Sequence, residues 1–489
     1  MRILAFLLSL SWCAGAASAP DLDALVAATR TAPAEFAADV LIRLAALDRV
    51  DQSRKIELLD QAFHRAASAT QPYKRRSVIL RVGSFGPYFD RVYSQDLDAL
   101  SLRLRAVEAL LPLDSRKARE LFLQIPPLRL TPLTCADFLA YDPSRFYQVL
   151  GELLRRSFTD EETAHGEPAK LLARYAGAFA SPVEIAPLAH VLAGAGLSDS
   201  EFRSLLASFT AALAKVAGDD RSFTASASVG KEILAMVDEA KRRQVSPLPL
   251  IESYRVYLVV NLSAVRCADN DLLQPAGQSF GLVTGQPADS PATDRIAFFN
   301  GKIRIAPLQP IQESESQPAR LEGAVTGLLS CQDEDCRAIA KQFRGLVFGP
   351  TGAVYQPAER AAPEWQAKLQ AMLTSLADWR ESSGNSSLEL FREKSAVYAE
   401  LLNLLPGGPE RELVLHAILA HVAGNRVQNV NPVEWFLPVN ALIGRTTLDP
   451  LGLAKFAEDL RRSSDRLVAL YANLEAVAPR TPDRIVPLL

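Results

Sequence analysis

Leu197-Ser198-Asp199-Ser200-Glu201-Phe202 opens the stretch that decides the fold. Ser198 can accept from the free N–H groups of a first helical turn while Glu201 reaches back to the Ser198 N–H, which is a capping box. Leu197 and Phe202 occupy the two positions of a hydrophobic staple. Phe202, Leu205, Leu206, Phe209, Leu213 and Val216 then recur at spacings of three and four, so the run is one amphipathic helix, with Gly218 as its expected stop.

Working outward, the same period recurs from Asp21 to about Arg266. It appears at Phe36 to Leu47, Ile56 to Phe63, Leu97 to Leu111, Ala118 to Ile125, Pro143 to Phe158, Ala169 to Phe179, Val183 to Leu192, Lys231 to Arg243 and Leu248 to Val265. Short connections rich in Pro, Asp, Ser or Gly separate these stripes. Narrow stripes need neighbours, so antiparallel helical hairpins are expected, stacked as a degenerate solenoid or gathered into bundles. The fold class expected is all-α.

The pattern breaks over 268–330, where Pro275, Pro287, Pro291, Pro307, Pro310 and Pro318 each remove a donor and obstruct a helix. Two strand-like runs flank Asn300-Gly301 within 296–305, a candidate β-hairpin. The polar run from Gln312 to Pro318 reads as an exposed linker. Helices resume from Asp335. The Ser386 to Glu389 capping box, the stripe Phe391, Tyr398, Leu401, Leu402 and Leu405, and the reversal Pro406-Gly407-Gly408-Pro409 give another hairpin that continues through Glu410 to Ala423. No fixed repeat period emerges. The expected organisation is a leader at 1–19, a helical domain at 20–267, the irregular segment at 268–330 and a second helical domain at 331–489.

Arg2, the apolar run Ile3 to Leu10 and the small residues Ala14 to Ala19 have the order of a secretory signal peptide. Cleavage falls after Ala19 or after Ala16. A lipoprotein box at Leu10 to Cys13, which would anchor Cys13 by a lipid, is the alternative, against which Trp12 stands where a small residue is required. The protein is therefore expected in the periplasm or outside the cell. No later stretch has the roughly 18 continuous apolar residues of a membrane span.

The 489 residues less the 19 of the leader leave 470, room for two or three domains. Hydrophobic residues make up 48% and charged residues 22%, an ordinary globular balance. The net charge of −3 falls to −4 when Arg2 is lost, which offers nothing to nucleic acid. The one basic cluster, Lys74-Arg75-Arg76, reads as a solvated loop. Four cysteines remain after cleavage: Cys135, Cys267, Cys331 and Cys336. In an exported chain they suggest two disulfides with three connectivities open, one of which closes the short Cys331–Cys336 loop and leaves Cys135 with Cys267. The C-x4-C spacing is not that of a zinc site.

Candidate catalytic patterns fail on their context. Gly277-Gln278-Ser279-Phe280-Gly281 matches the nucleophile elbow, yet neither a strand before it nor a helix after it is credible. Glu412 and His416 share a helix face, while His421 points about 140° away from His416, so the set is not a zincin motif. Gly345 to Gly352 lacks the Walker lysine and carries Pro350 where a donor is needed, which reads as a helix exit. Trp365, Trp379 and Trp435 are expected in the core, and Glu161, Glu162 and Glu313 as solvated charges in loops. No catalytic residue, metal ligand or cofactor is assigned.

Three segments, Pro33 to Leu44, Phe138 to Tyr147 and Asn431 to Pro438, resemble parts of uncharacterised secreted helical proteins of soil bacteria. That resemblance implies export and helices. The function expected is a non-catalytic binding or scaffold module for a protein or peptide partner. The alternative is a hydrolase whose acids or histidines converge from distant helices.

Overall fold

The computed structural model describes residues 21–73, 75–77, 95–134, 137, 139–225, 228–263, 266–267, 308–309, 334–353, 355–356, 359–380, 387–405, 408–424, 458–463 and 465–477. The leader, the candidate lipid-bearing Cys13, the hairpin at 296–305, Ser279, Glu313 and Trp435 lie outside them.

The fold is all-α. In chain order the described helices are α1 (Leu22–Thr29), α2 (Ala34–Ala45), α3 (Gln52–Ala66), α4 (Ala99–Leu110), α5 (Ser115–Phe122), α6 (Ser144–Arg156), α7 (Asp160–Ala164), α8 (Glu167–Ala176), α9 (Pro182–Gly194), α10 (Asp199–Leu213), α11 (Val229–Arg242), α12 (Leu248–Ser263), α13 (Glu334–Val347), α14 (Pro363–Asp378), α15 (Ser387–Leu404), α16 (Pro409–Gly424) and α17 (Arg466–Val477). Their starts follow from local chemistry. Asp21, Asp51, Asp98, Asp114, Thr159 and Ser198 each accept from a backbone N–H two or three residues on, satisfying a donor with no partner inside the helix.

The expected capping box at Ser198 and Glu201 is present, and Leu197 and Phe202 are both buried. The expected stop at Gly218 is corrected. The helix ends at Leu213 with Ala214 as its cap, and the following two turns are closed by Lys215 N–H to Ala212 O and Val216 N–H to Leu213 O.

Helices pack against the next but one as well as the next: α2 with α3 and α4, α4 with α6, α8 with α10, α9 with α11, α10 with α12, and α14 with α16. This is the stacking of hairpins, each burying its stripe on its neighbours. One continuous apolar cluster runs from Leu25 to Leu474. The last described helix, α17, returns to the start of the chain and lies against α1 and α2.

At that seam Phe36 meets Tyr471 edge to face, with ring centroids 5.9 Å apart, and Arg43 pairs with Glu475 at 2.6 Å. Beneath them Asp39 accepts from Arg105 Nη2 at 2.6 Å and from the Tyr471 hydroxyl at 2.9 Å. The Arg105 and Asp39 side chains are only 6% and 5% exposed. Burial works against the Arg105 charge, but the charge and hydrogen bond of Asp39 outweigh it and hold the guanidinium above its ordinary pKa.

Among the described residues two short ladders interrupt the helices. Strand β1 (Arg75–Ser77) pairs antiparallel with β2 (Leu139–Tyr141), Arg75 facing Tyr141 and Ser77 facing Leu139. Strand β1 lies within residues 21–266, whose pattern reads as helical almost throughout, and its pairing with β2 sets a short extended segment into that helical run. Strands β3 (Arg266–Cys267) and β4 (Leu308–Gln309) pair in parallel and so bracket the proline-rich stretch. No helix among the described residues is long and apolar enough to cross a membrane.

Cys336 is buried on α13, its sulfur in a disulfide. No disulfide joins two described side chains. The expected roles of Cys331, Cys135 and the Cys267 side chain therefore lie outside the described residues.

Candidate functional site

A cleft of about 700 Å³ lies between the end of α3, the β1–β2 ladder, the start of α4 and the chain after α5. Its shape is set from several directions. Glu35, buried on α2, accepts from the Thr70 N–H at 2.6 Å and the Thr70 hydroxyl at 2.9 Å. That anchor fixes the chain between α3 and β1, and with it Gln71, Pro72 and Tyr73. Asp98 caps α4 by accepting the Ser101 N–H at 2.8 Å, which sets Leu100 and Arg103 on the opposite side. Pro126 and Pro127 have no N–H to continue a helix and wall the third side with extended backbone.

Tyr73 and Tyr141 stack at the floor, with centroids 5.9 Å apart and planes 19° from parallel. Both belong to a small satellite cluster with Leu130, Leu133, Ala140 and Val183, separate from the main core. The Tyr73 hydroxyl donates to Asp142 O at 3.0 Å, and burial, helped by nearby carboxylates led by Asp98, pushes its pKa well above the ordinary value.

Three arginines line the cleft against one carboxylate, that of Asp98. Arg75 lies 4.8 Å over the Tyr141 ring and 3.7 Å from Asp137. Arg103 lies 4.3 Å over the Phe63 ring and donates to Gln124 O at 3.1 Å. Burial pushes the Arg103 guanidinium below its ordinary pKa. Arg129 stands exposed on the rim.

No histidine, cysteine or serine lines the cleft, and its single carboxylate is engaged in capping α4.

The expected solvated loop at Lys74-Arg75-Arg76 is corrected: Arg75 is a strand residue held over a ring. Glu161 and Glu162 are corrected as well, since they stand in the first turn of α7. Glu162 completes a capping box with Thr159 and accepts from Arg119 at 2.6 and 3.1 Å, contacts that lower its pKa to about 2. Those residues border a second cavity of about 560 Å³ in which Glu161, Glu162 and Glu167 face Arg119, Lys170 and Arg174. Its charges balance one another.

Of the expected histidine set, His416 stays near the surface, 3.6 Å from Glu412 and 3.9 Å from Asp459. His421 is 7% exposed, stacked on Phe391 at 4.9 Å, with Nε2 3.2 Å from Ser395 Oγ. Burial, then the nearby Lys394 charge, lowers its pKa to about 3. The two rings serve different environments, and no group of three potential metal ligands occurs among the described residues.

Gly345 to Gly352 forms the exit of α13, closed by Gly349 N–H to Ala353 O at 2.7 Å and turned at Gly352, whose φ is +79°. Trp365 and Trp379 are buried as expected. Trp365 has a further role: its indole N–H donates at 2.9 Å to Leu346 O, one of the unpaired carbonyls ending α13.

Of the segments that carry the resemblance, Pro33 to Leu44 falls in α2 with its cap, 139–147 spans β2 and the start of α6, and Phe138 and 431–438 lie outside the described residues. No protein-family model, curated protein or solved structure matches this chain.

Sequence reasoning missed Tyr73, Arg103 and Tyr141 as a group. The readable signal was the Pro126-Pro127 pair followed by Pro132, a run that favours extended backbone rather than a loop of arbitrary shape.

Proposed function

We propose that this chain is an exported, non-catalytic binding module that holds an extended segment of a protein or peptide in the cleft between α3, α4 and the β1–β2 ladder. The observation that carries the reading is the lining itself: a mostly apolar trough of about 700 Å³, floored by stacked tyrosines and walled by two prolines. Cavities of that size with a few fixed polar groups suit ligand recognition. Export is supported by the leader pattern of residues 1–19 and by even cysteine usage after it. A hydrolase assembled from distant helices has less support, because only one carboxylate lines the cleft.

Two experiments test the two halves. Fluorescence anisotropy against a library of hexapeptides blocked at both ends should yield binders in the micromolar range that Leu100→Arg, which places a bulky cation in the trough, abolishes without loss of helical circular dichroism. Absence of any binder, or binding indifferent to Leu100→Arg, sinks the reading. Fractionation of cells making the full chain should place it in the periplasm or medium with residues 1–19 or 1–16 removed, and recovery of an uncleaved cytoplasmic product refutes export.

A further inference from the structure

The charge inside the cleft is unbalanced in one place. Arg103 uses one face on the Phe63 ring and one amino group on Gln124 O, and its Nε is buried without a hydrogen-bond partner. Neither Arg103 nor Arg129, which lines the same cleft from the rim, forms an ion pair among the described residues. Arg75, by contrast, is already committed to Asp137 and the Tyr141 ring.

A guanidinium that has lost part of its hydration gains more from an incoming anion than one in open water, because the local dielectric is lower. Its planar donor fork also matches the two oxygens of a carboxylate. The apolar Leu100 and the tyrosine floor lie in the same cleft, so a single ligand can meet charge and apolar surface together.

We infer that the cleft is selective for an acidic peptide, one whose Asp or Glu carboxylate meets Arg103, with Arg129 at the entrance and the flanking apolar residues on Leu100 and Tyr73. The inference rests on the binding reading above and deepens it. A carboxylate is favoured over a phosphate dianion because Asp98, itself only 5% exposed, lines the same cleft and repels the second negative charge. The net charge of −3 argues in the same direction against a polyanion.

The test uses the full chain and the blocked hexapeptide library. The best binder should contain Asp or Glu at a fixed position, and its exchange for Asn or Gln should weaken binding about ten- to a hundredfold, the effect of losing one charge-assisted hydrogen bond. Arg103→Gln should bring the acid-to-amide affinity ratio close to one. Should Arg103→Gln fail to fold, the unaltered protein still decides: the ratio should fall as sodium chloride rises from 50 to 500 mM, and Arg129→Gln should lower it further. Binders with no acidic preference, a ratio unmoved by salt, or a phosphoserine peptide that binds more tightly than its Glu counterpart overturns the inference alone. Failure of every library member to bind overturns the underlying reading and the inference together.

Discussion

Asp39→Ala removes the carboxylate that neutralises the buried guanidinium of Arg105 and receives the hydroxyl of Tyr471. Breaking a buried pair from one side leaves an uncompensated charge, which costs about 3–5 kcal/mol. Since Tyr471 is on α17 and Asp39 on α2, the first region to feel the loss should be the seam between them. At about 1.4 kcal/mol per factor of ten, hydrogen exchange of the Arg466–Val477 amides should accelerate by roughly two to three and a half orders of magnitude. Tyr471→Phe, which removes one hydrogen bond to a charged acceptor, should cost about 1.5–3 kcal/mol at the same amides.

The double variant Asp39→Ala with Arg105→Met carries the reasoning. It deletes both charges, and should recover much of the loss, since a buried ion pair is often no better than an apolar replacement. Peptide-resolved exchange mass spectrometry reads all three variants. If Asp39→Ala leaves α17 as protected as in the parent, or if the double variant is as open as the single, the buried-charge account is refuted.

Three further outcomes follow from other sites. His421 is neutral in the fold, with its pKa lowered to about 3. The unfolded chain therefore takes up the proton first, and stability is lost as pH falls from about 6.5 to 3, by up to the order of 5 kcal/mol; thermal melts of His421→Phe across that range should show a flatter profile. Glu162 is the acidic counterpart, its folded pKa lowered to about 2, so its contribution is full above about pH 4.5 and fades toward pH 2. The melting-temperature deficit of Glu162→Gln should shrink over that window, and a deficit independent of pH would speak against the Arg119 contact as its source. Glu35→Ala frees the Thr70 N–H and hydroxyl, should destabilise by about 1.5–3 kcal/mol in urea melts, and should weaken binding of the best library peptide through the displaced Tyr73.

Helices were legible because their signals are local. Period, cap and staple around Ser198 predicted both the start and the buried face of that helix, and the turn that ends it differed only because Ala214 could close it without glycine. The strands were not legible. Arg75-Arg76-Ser77 has no apolar alternation, and its pairing depends on residues 139–141, more than sixty positions away. The cleft was illegible for the same reason. Arg103 is one of many arginines on helices until Phe63 and Gln124 are placed against it, and Glu35 looks like a first-turn acid until Thr70 is seen on its carboxylate. The reading of Gly345 to Gly352 as a helix exit agrees with the end of α13 at Val347 and the turn at Gly352, because a helix stop is written locally.

The seam of α17 on α2 also bears on timing. Tyr471 and Asp39 are 432 positions apart. At about 5–20 residues per second, a ribosome needs roughly 20–90 s to travel from one to the other. For that interval Asp39 and Arg105 have each other but lack their hydroxyl donor, and the apolar faces of α1 and α2 lack their cover. The amino-terminal helices of a growing chain therefore cannot reach their final stability, which keeps the nascent protein loose until α17 arrives.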